Sequence, residues 1–389
     1  MRTRRATLVI FLTYLRNKMR TPLLQSSAQI RPNRLPALCV VALGVACLAG
    51  SLPLLAQPRI GAHLQYDVSR FSSAPTPLQD TSGFRRARLS LSTGESGQLE
   101  TRLQYDFEAQ RFTDALIRWP LGDAQLLVGQ FKPPFSADAL LSDSQSFFTE
   151  NATVGVFAPG RRLGLQYSRN DIALALFGRD AHGVGPNLAA SLRGFRDFGG
   201  ESQSWHVGAS LLAERASSAS RRIRLRPEAG PDAGSWVSSP SFVTDQNVTD
   251  QNWHAGIEVG HQRGNWLLLG ELLSSRYASD SLDSRRATGG YLTSAWTLHG
   301  SPRMYKGGIF SDPKPLAGKL GSVELAVRYS SVALPSGLEP TAIGQHTLSI
   351  GLNAQIGSGW RLQLDRHDSR RDSDSRRAGL WTLRAQWLY

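Results

Sequence analysis

The residues of this chain best suited to chemistry are arginines spaced by two. In Arg222-Ile223-Arg224-Leu225-Arg226 the guanidiniums alternate with aliphatic side chains, and the stretch 221–226 contains no acid. An extended strand rises about 3.3 Å per residue, so the three would point one way at intervals of about 7 Å. A guanidinium stays charged and its planar donors match phosphate oxygens in pairs, so such a row can pass an anion from fork to fork. Rings of Arg or Lys mark anion and phosphate pores. The plainer alternative is a charged interior in which arginines and carboxylates satisfy one another. A second cluster lies in Phe84-Arg85-Arg86-Ala87-Arg88-Leu89: Arg86 and Arg88 share a polar face, Ala87 and Leu89 the apolar one. Arg85 has apolar-side parity and, near a strand end, could reach an interface. Other chemistries find no comparable spacing. None of the eight His stands in a His-x-x-x-His pair, and the only cysteines are Cys39 and Cys47, so neither a metal site nor a cysteine nucleophile is indicated. Asp365 to Arg377 interleaves acids with arginines and has no calcium-loop glycine, so it reads as a solvated or lipopolysaccharide-facing loop.

The elements that would position these residues alternate with a period of two. Ile60, Ala62, Leu64, Tyr66 and Val68 share one face against Gly61, His63, Gln65 and Asp67 on the other; Leu348, Ile350, Leu352, Ala354 and Ile356 do the same further on. A helix, with its period of 3.6, would scatter them. Sixteen such segments are counted, at 59–68, 84–93, 98–109, 113–121, 125–134, 162–169, 171–178, 204–214, 221–226, 252–262, 265–276, 288–298, 322–333, 346–356, 360–367 and 379–389. Short connections such as Gly122-Asp123 alternate with long ones such as 135–161, apart from a short loop at 110–112 and a long turn at 299–321. This is the pattern of an all-β, transmembrane antiparallel β-barrel with short periplasmic turns and long external loops. A secreted sandwich or lipocalin-like barrel also alternates. Here the apolar faces carry aromatics near strand ends (Trp119, Trp253, Trp266, Trp296, Trp387) and the opposite faces are charged, which favours a membrane barrel with a polar lumen.

The charge supports this division. Lys+Arg number 44 against 31 Asp+Glu, a net of +13 that first suggests nucleic acid. Eight of the basic residues precede residue 57 without an acid, leaving 36 basic against 31 acidic in the body, so no nucleic-acid partner is indicated. Residues 1–56 read as an N-terminal extension and secretory signal, basic then apolar (Leu35 to Ala49) then small, with cleavage after Ala56 and a start at Met1 or Met19; a membrane anchor is the alternative. Residues 57–389 read as one barrel domain. Trp381, Leu383, Ala385 and Trp387 share a face of the last segment, and its aromatic end at Tyr389 resembles the signal read by the barrel assembly machinery.

Arg85-Arg86-Ala87-Arg88-Leu89, Leu103-Gln104-Tyr105-Asp106-Phe107, Val128-Gly129-Gln130-Phe131-Lys132-Pro133-Pro134-Phe135, Phe157-Ala158-Pro159-Gly160-Arg161-Arg162-Leu163-Gly164, Arg224-Leu225-Arg226-Pro227-Glu228 and Glu324-Leu325-Ala326-Val327-Arg328-Tyr329-Ser330 occur in this order. Together they resemble the phosphate-selective porin O and P family. The resemblance implies a homotrimeric, sixteen-stranded, anion-selective channel of the Gram-negative outer membrane, passing phosphate or other small anions without a cofactor, amid lipid and lipopolysaccharide. It also implies an inward-folded constriction loop, here 135–161, with Arg86, Arg88, Lys132, Arg161 and Arg162 around the narrowest point. Between Ser136 and Gly160 the chain has no Lys or Arg but carries Asp138, Asp143 and Glu150, so a general anion or small-solute porin is the alternative to a phosphate-specific one, and a barrel enzyme a more distant one.

Overall fold

The computed structural model describes residues 58–389 except 76, 95–96, 201–202, 216–222, 239–250, 280–281, 314, 318–319, 335–342 and 358; the expected signal segment and both candidate starts lie outside the described residues. Sixteen strands close into an antiparallel barrel: β1 (Arg59–Ser73), β2 (Thr81–Thr93), β3 (Glu100–Asp106), β4 (Arg111–Leu121), β5 (Ala124–Phe131), β6 (Arg162–Arg169), β7 (Ile172–Phe177), β8 (Leu188–Gly200), β9 (Gln203–Arg215), β12 (Gln251–Arg263), β13 (Trp266–Ser279), β14 (Leu282–His299), β17 (Leu320–Leu334), β18 (Ile343–Ile356), β19 (Trp360–Arg371) and β20 (Arg377–Leu388). Two hairpins stand apart from the wall, β10 (Arg224–Leu225) with β11 (Val237–Ser238) and β15 (Arg303–Lys306) with β16 (Ile309–Pro313). Closure comes from β1 against β20, where Ala62 and Tyr389 exchange backbone hydrogen bonds of 3.1 and 2.9 Å. A closed sheet leaves no edge and pairs every wall strand on both sides, which a hydrocarbon surround demands.

The barrel is inverted relative to a soluble protein. Ile60, Ile257 and Leu272 face outward with exposures of 62%, 60% and 61%, while Gln65, Asp365 and Arg384 on inward positions are fully buried. Trp119, Trp253, Trp266 and Trp296 stand exposed on the outer surface near strand ends, as an interface girdle requires. Trp387 differs: it is buried and stacks on Tyr389, 6.0 Å between ring centroids.

The wall departs from the sequence expectation at one exchange. The described part of segment 221–226, Ile223 to Arg226, is not part of the wall. Ile223 and Leu225 do alternate with arginine, but they are buried in one apolar cluster with Phe148, Val154 and Phe157 of the inward loop rather than facing lipid. The missing wall strand is β8, paired to both β7 and β9. Its outward residues, Leu188, Ala190, Leu192, Gly194, Arg196 and Phe198, include two small residues and a charge, which dilutes the alternation. With β8 in place, 300–319 connects β14 to β17 on the same rim as the short turns and both described ends.

Among the described residues three connections fold inward. Loop 132–161 enters from the long-loop rim carrying helix α1 (Ala137–Leu140), and buries Phe135, Phe147, Phe148, Val154 and Phe157. Phe148 packs over Gly351 of β18, where an added Cβ would lie 3.0 Å from the ring. Gly129, at φ 122, lets β5 pass β4 so closely that a Cβ would meet Ala115 O at 2.1 Å, which explains glycine in the Val128-Gly129-Gln130 motif. The 223–238 segment descends beside loop 132–161, with Glu228 donated to from β17, β18 and Thr153. The β15–β16 hairpin enters from the opposite rim. It is held by Arg193 Nη2 to Gly308 O (2.8 Å), by Arg361 Nη1 to Asp312 Oδ1 (2.9 Å), and by its own Arg303 to both oxygens of Glu324 (2.6 and 2.7 Å).

Candidate functional site

Beneath loop 132–161, on the short-turn side, a cavity of about 450 Å³ remains open. Five cationic side chains line it, Arg88, Arg102, Arg118, Lys132 and Arg161, against the carboxylates of Asp114 and Asp143. Strand parity delivers Arg88, Arg102 and Arg118 inward from β2, β3 and β4, while Lys132 and Arg161 stand at the two roots of the loop.

The local geometry is a chain of charge pairs. Arg88 Nε donates to Asp106 Oδ2 (2.8 Å) and its Nη1 to Asp143 Oδ2 (2.8 Å). Arg86 places Nε 3.1 Å from the same Asp143 oxygen and gives Nη1 to Gln65 Oε1. Arg161 Nε donates to Asp114 Oδ1 (2.6 Å), and Arg102 lies 3.4 Å from Asp114. Lys132 Nζ donates to Ala139 O and Leu141 O, both at 2.8 Å. Burial alone would raise the Asp143 carboxyl, but Arg86, Lys132, Arg88 and Arg161 hold it well below the usual carboxylate range. Burial in turn lowers the Lys132 ammonium below its ordinary value.

Of the residues expected from the sequence, Arg86, Arg88, Lys132 and Arg161 therefore converge. Arg162 begins β6 and donates to Arg161 O (2.8 Å). Arg224 and Arg226 do not belong to this cluster; they are exposed on the β10–β11 hairpin at the long-loop rim, and Arg222 lies outside the described residues. The sequence reading missed Arg85. The β1–β2 register runs Gln65↔Arg86 and then Tyr66↔Phe84, so Arg85 is the extra residue of a β-bulge. The bulge frees it from lipid-side parity, and Arg85 Nε donates to Glu150 Oε1 of the loop at 2.7 Å. Two adjacent arginines inside a period-two strand were themselves the signal, because a regular strand would turn one of them to lipid at a cost of about 2–4 kcal/mol at the midplane. Arg102 and Arg118 were equally legible on inward parity and were passed over.

Among the described residues two groups resemble a hydrolase constellation: the buried Ser275 Oγ lies 2.7 Å from His254 Nδ1 with Glu214 3.6 Å from His254 Nε2, and Ser349 Oγ lies 2.8 Å from His367 Nδ1 with Asp365 3.7 Å from His367 Nε2. All six residues are buried, and the Ser349 hydroxyl donates to Glu228, so neither serine is presented to a substrate. Among the described residues no His/Cys/Asp/Glu group gathers to hold a metal.

The model of the family described as phosphate-selective porin O and P matches residues 59–386, from the start of β1 into β20. The chain belongs to that family. A protein of Caulobacter vibrioides is 27% identical over 305 residues, 70% of this chain and 60% of the other, so the porin O and P chain spans about 60% of the length of that relative. Among solved structures, the anion-selective porin from Comamonas acidovorans superposes with a TM-score of 0.57 at 9% identity, over 86% of this chain and 100% of that one. The outer-membrane channel DcaP of Acinetobacter baumannii gives 0.54 at 11% identity, over 86% and 97%. OmpT of Vibrio cholerae in its trimer form gives 0.56 at 8%, over 86% and 99%. At such identities the likeness is one of fold: this porin O and P chain has the barrel of outer-membrane porins.

Proposed function

We propose that the chain is a passive anion channel of the Gram-negative outer membrane, for phosphate or other small anions. The observation that carries this reading is the cationic cavity beneath loop 132–161, where Arg88, Arg102, Arg118, Lys132 and Arg161 face two carboxylates inside a polar lumen. In a confined lumen these groups lower the barrier for an anion, and flanking carboxylates keep each site weak enough to release it. The loop acts as the constriction, and the exposed Arg224 and Arg226 gather anions at the outer mouth. The Comamonas acidovorans porin that shares the fold is anion-selective, which supports the same reading here.

A general anion porin is the second reading. It is favoured by one observation: Arg88, Arg102, Arg118 and Arg161 each already meet a carboxylate and Lys132 is held by two loop carbonyls, so no described cation of the cluster is reserved for a dianion. Trimeric assembly through the outer wall, insertion by the barrel assembly machinery through the strand ending at Tyr389, contact with lipopolysaccharide, and export by the 1–56 segment complete the proposal. No catalytic step is part of it. The test is the reversal potential of the purified protein in planar bilayers under a KCl gradient, repeated with phosphate. A potential of anionic sign with phosphate inhibiting chloride current supports phosphate transport; an anionic sign without inhibition supports the general porin; a cationic sign refutes both.

A further inference from the structure

We infer that Asp143 is a tethered counter-anion, a carboxylate that occupies the Arg86–Arg88 anion position from within and sets how tightly the pore holds a permeant anion such as inorganic phosphate. This rests on the anion-channel reading above and adds a specificity-determining residue to it.

The geometry singles out Asp143 among the nearby acids. Asp106 pairs with Arg88 from the wall strand beside it, and Asp114 pairs with Arg161 and Arg102. Asp143 comes from the inward loop and bridges two guanidiniums with one oxygen, 3.1 Å from Arg86 Nε and 2.8 Å from Arg88 Nη1. Among the described ion pairs it is the carboxylate that Arg86 touches, while the hydrogen-bond acceptor of Arg86 Nη1 is the neutral Gln65 amide oxygen. Two oxygens of a phosphate would seek the same pair of forks. Asp143 also lies at the tip that reaches the cavity, between Ser142 and Ser144, whose hydroxyls are 2.9 Å apart.

The carboxylate is put there by the loop rather than drawn there by its own pairing. Lys132 holds the carbonyls of Ala139 and Leu141 just before the tip, and Arg361 and Gln386 hold that of Ser144 just after it, at 2.7 and 3.0 Å. Gln65 Nε2 donates to the backbone carbonyl of Asp143 itself (3.2 Å). Replacing the carboxylate by an amide therefore removes a charge and leaves the tip pinned. An arriving anion must at present share Arg86 and Arg88 with Asp143. A competing unit charge about 3 Å from a guanidinium is worth a factor of about ten even at the dielectric of water.

The experiment compares wild type, Asp143→Asn, Asp143→Glu and the double variant Arg86→Gln/Asp143→Asn as folded protein in planar bilayers. It reads the inorganic phosphate concentration that halves chloride conductance and the shift in reversal potential relative to wild type. Asp143→Asn is expected to bind phosphate about tenfold more tightly, about 1.4 kcal/mol, and to move the potential toward anions. Asp143→Glu, which keeps the charge, moves back toward wild type, and Arg86→Gln in the double variant removes the gain. Because each readout is a difference from wild type, it decides the role of Asp143 whatever the sign of the wild-type potential, which alone decides the channel reading. If Asp143→Asn binds phosphate no more tightly than wild type, or the double variant keeps the gain, the inference is overturned. Should Asp143→Asn fail to fold, Asp143→Ser takes its place under the same expectation.

Discussion

Replacing Glu228 by Gln should release the inward segments without opening the wall. The carboxylate of Glu228 is fully enclosed and accepts five hydrogen bonds: from Arg328 Nη2 and Ser349 Oγ at Oε2 (2.5 and 2.7 Å), and from Ser330 Oγ, Thr153 N and Thr153 Oγ1 at Oε1 (2.5, 3.1 and 3.2 Å). One group thus ties the 223–238 segment to β17, β18 and loop 132–161. An amide keeps a single acceptor and turns an NH2 toward donors, leaving Arg328 buried beside a neutral partner. Breaking one side of a buried ion pair costs about 3–5 kcal/mol, which lowers the docked-to-released ratio roughly 150- to 5,000-fold. The β17–β18 ladder, continuous from Ser322↔Gln355 to Leu334↔Ile343, does not use Glu228 and should persist. The assay is limited proteolysis of the folded, detergent-purified barrel beside single-channel recording. Cleavage within 135–161 and 223–238 should rise, conductance and current noise should increase, and heat-modifiable migration should stay that of a folded barrel. Unchanged cleavage and unchanged conductance would refute the tie, and loss of the folded band would refute the independence of the wall. The pH dependence has a fixed sign. Burial opposes ionisation of Glu228, but Arg328 and His367 outweigh it and hold the carboxyl well below its ordinary 4.5. A depressed pKa contributes fully above that ordinary value and is lost as pH falls through the lowered one, so wild type should resist proteolysis at pH 7 and approach Glu228→Gln only in strong acid.

Glu150 gives a more accessible window: burial raises it, yet Arg85, Arg86 and Arg384 bring its carboxyl to about 2, so its share of loop docking should fade between pH 4.5 and about 2, seen as acid-induced conductance noise. Noise that stays flat across that window would remove Glu150 from the docking contacts. Shortening 300–319 to a tight turn removes the β15–β16 hairpin with Arg303 and Phe310, and should raise conductance by opening the lumen under β9 and β12, with less effect on selectivity, since the β2–β4 cations remain. An unchanged conductance would mean that the hairpin does not obstruct the path. Arg224→Ala with Arg226→Ala should slow anion capture at low ionic strength and have little effect at 1 M salt, where screening shrinks to about 3 Å; a loss equal at both salts would place these arginines in the path itself.

The wall was legible because a lipid-facing strand has no freedom in parity. Fifteen of the sixteen expected segments coincide with wall strands, and the exception shows the limit of the signal. Period two reports an extended chain with one apolar side, and does not say whether lipid or another part of the protein covers that side. Ile223 and Leu225 obey the pattern inside a loop, whereas β8 breaks it while sitting in the wall. The total of sixteen survived because the two errors offset each other. The site was legible where parity alone decided it, at Arg86 and Arg88, and opaque where a bulge or a folded connection did, as for Arg85 and for the β15–β16 hairpin, whose 23-residue expected turn at 299–321 carried no hint of its direction.

The preference for arginine over lysine has a physical reason besides anion transport. A guanidinium presents five donors, and a carboxylate engages only some of them. Arg384 gives two nitrogens to Asp67 and the third to Thr149 O of the loop. Arg361 spans Asp312, Asn353 and the carbonyls of Ser144 and Ser146. Arg303 binds Glu324, reaches Gln145 O, and lies 3.6 Å over the Phe147 ring. Arg328 binds Glu228 and Glu150 O against Phe148. Arg384, Arg361 and Arg328 are struts from the wall to an inward segment, and Arg303 is one from the inward hairpin to the wall and the loop; each meets a backbone carbonyl that burial would otherwise leave unpaired. A lysine could neutralise the acid but could not also hold the strand-to-loop spacing with a planar fork. The lumen is therefore divided by charge use. Along β17–β20 arginines hold the loop; on β2 Arg85, Arg86 and Arg88 also meet its Glu150 and Asp143, while Arg88 with Arg102 and Arg118 borders the remaining space. Arginine content reports both kinds alike, and only the position relative to the cavity beneath the loop distinguishes an arginine that borders open space from one that serves as a strut alone.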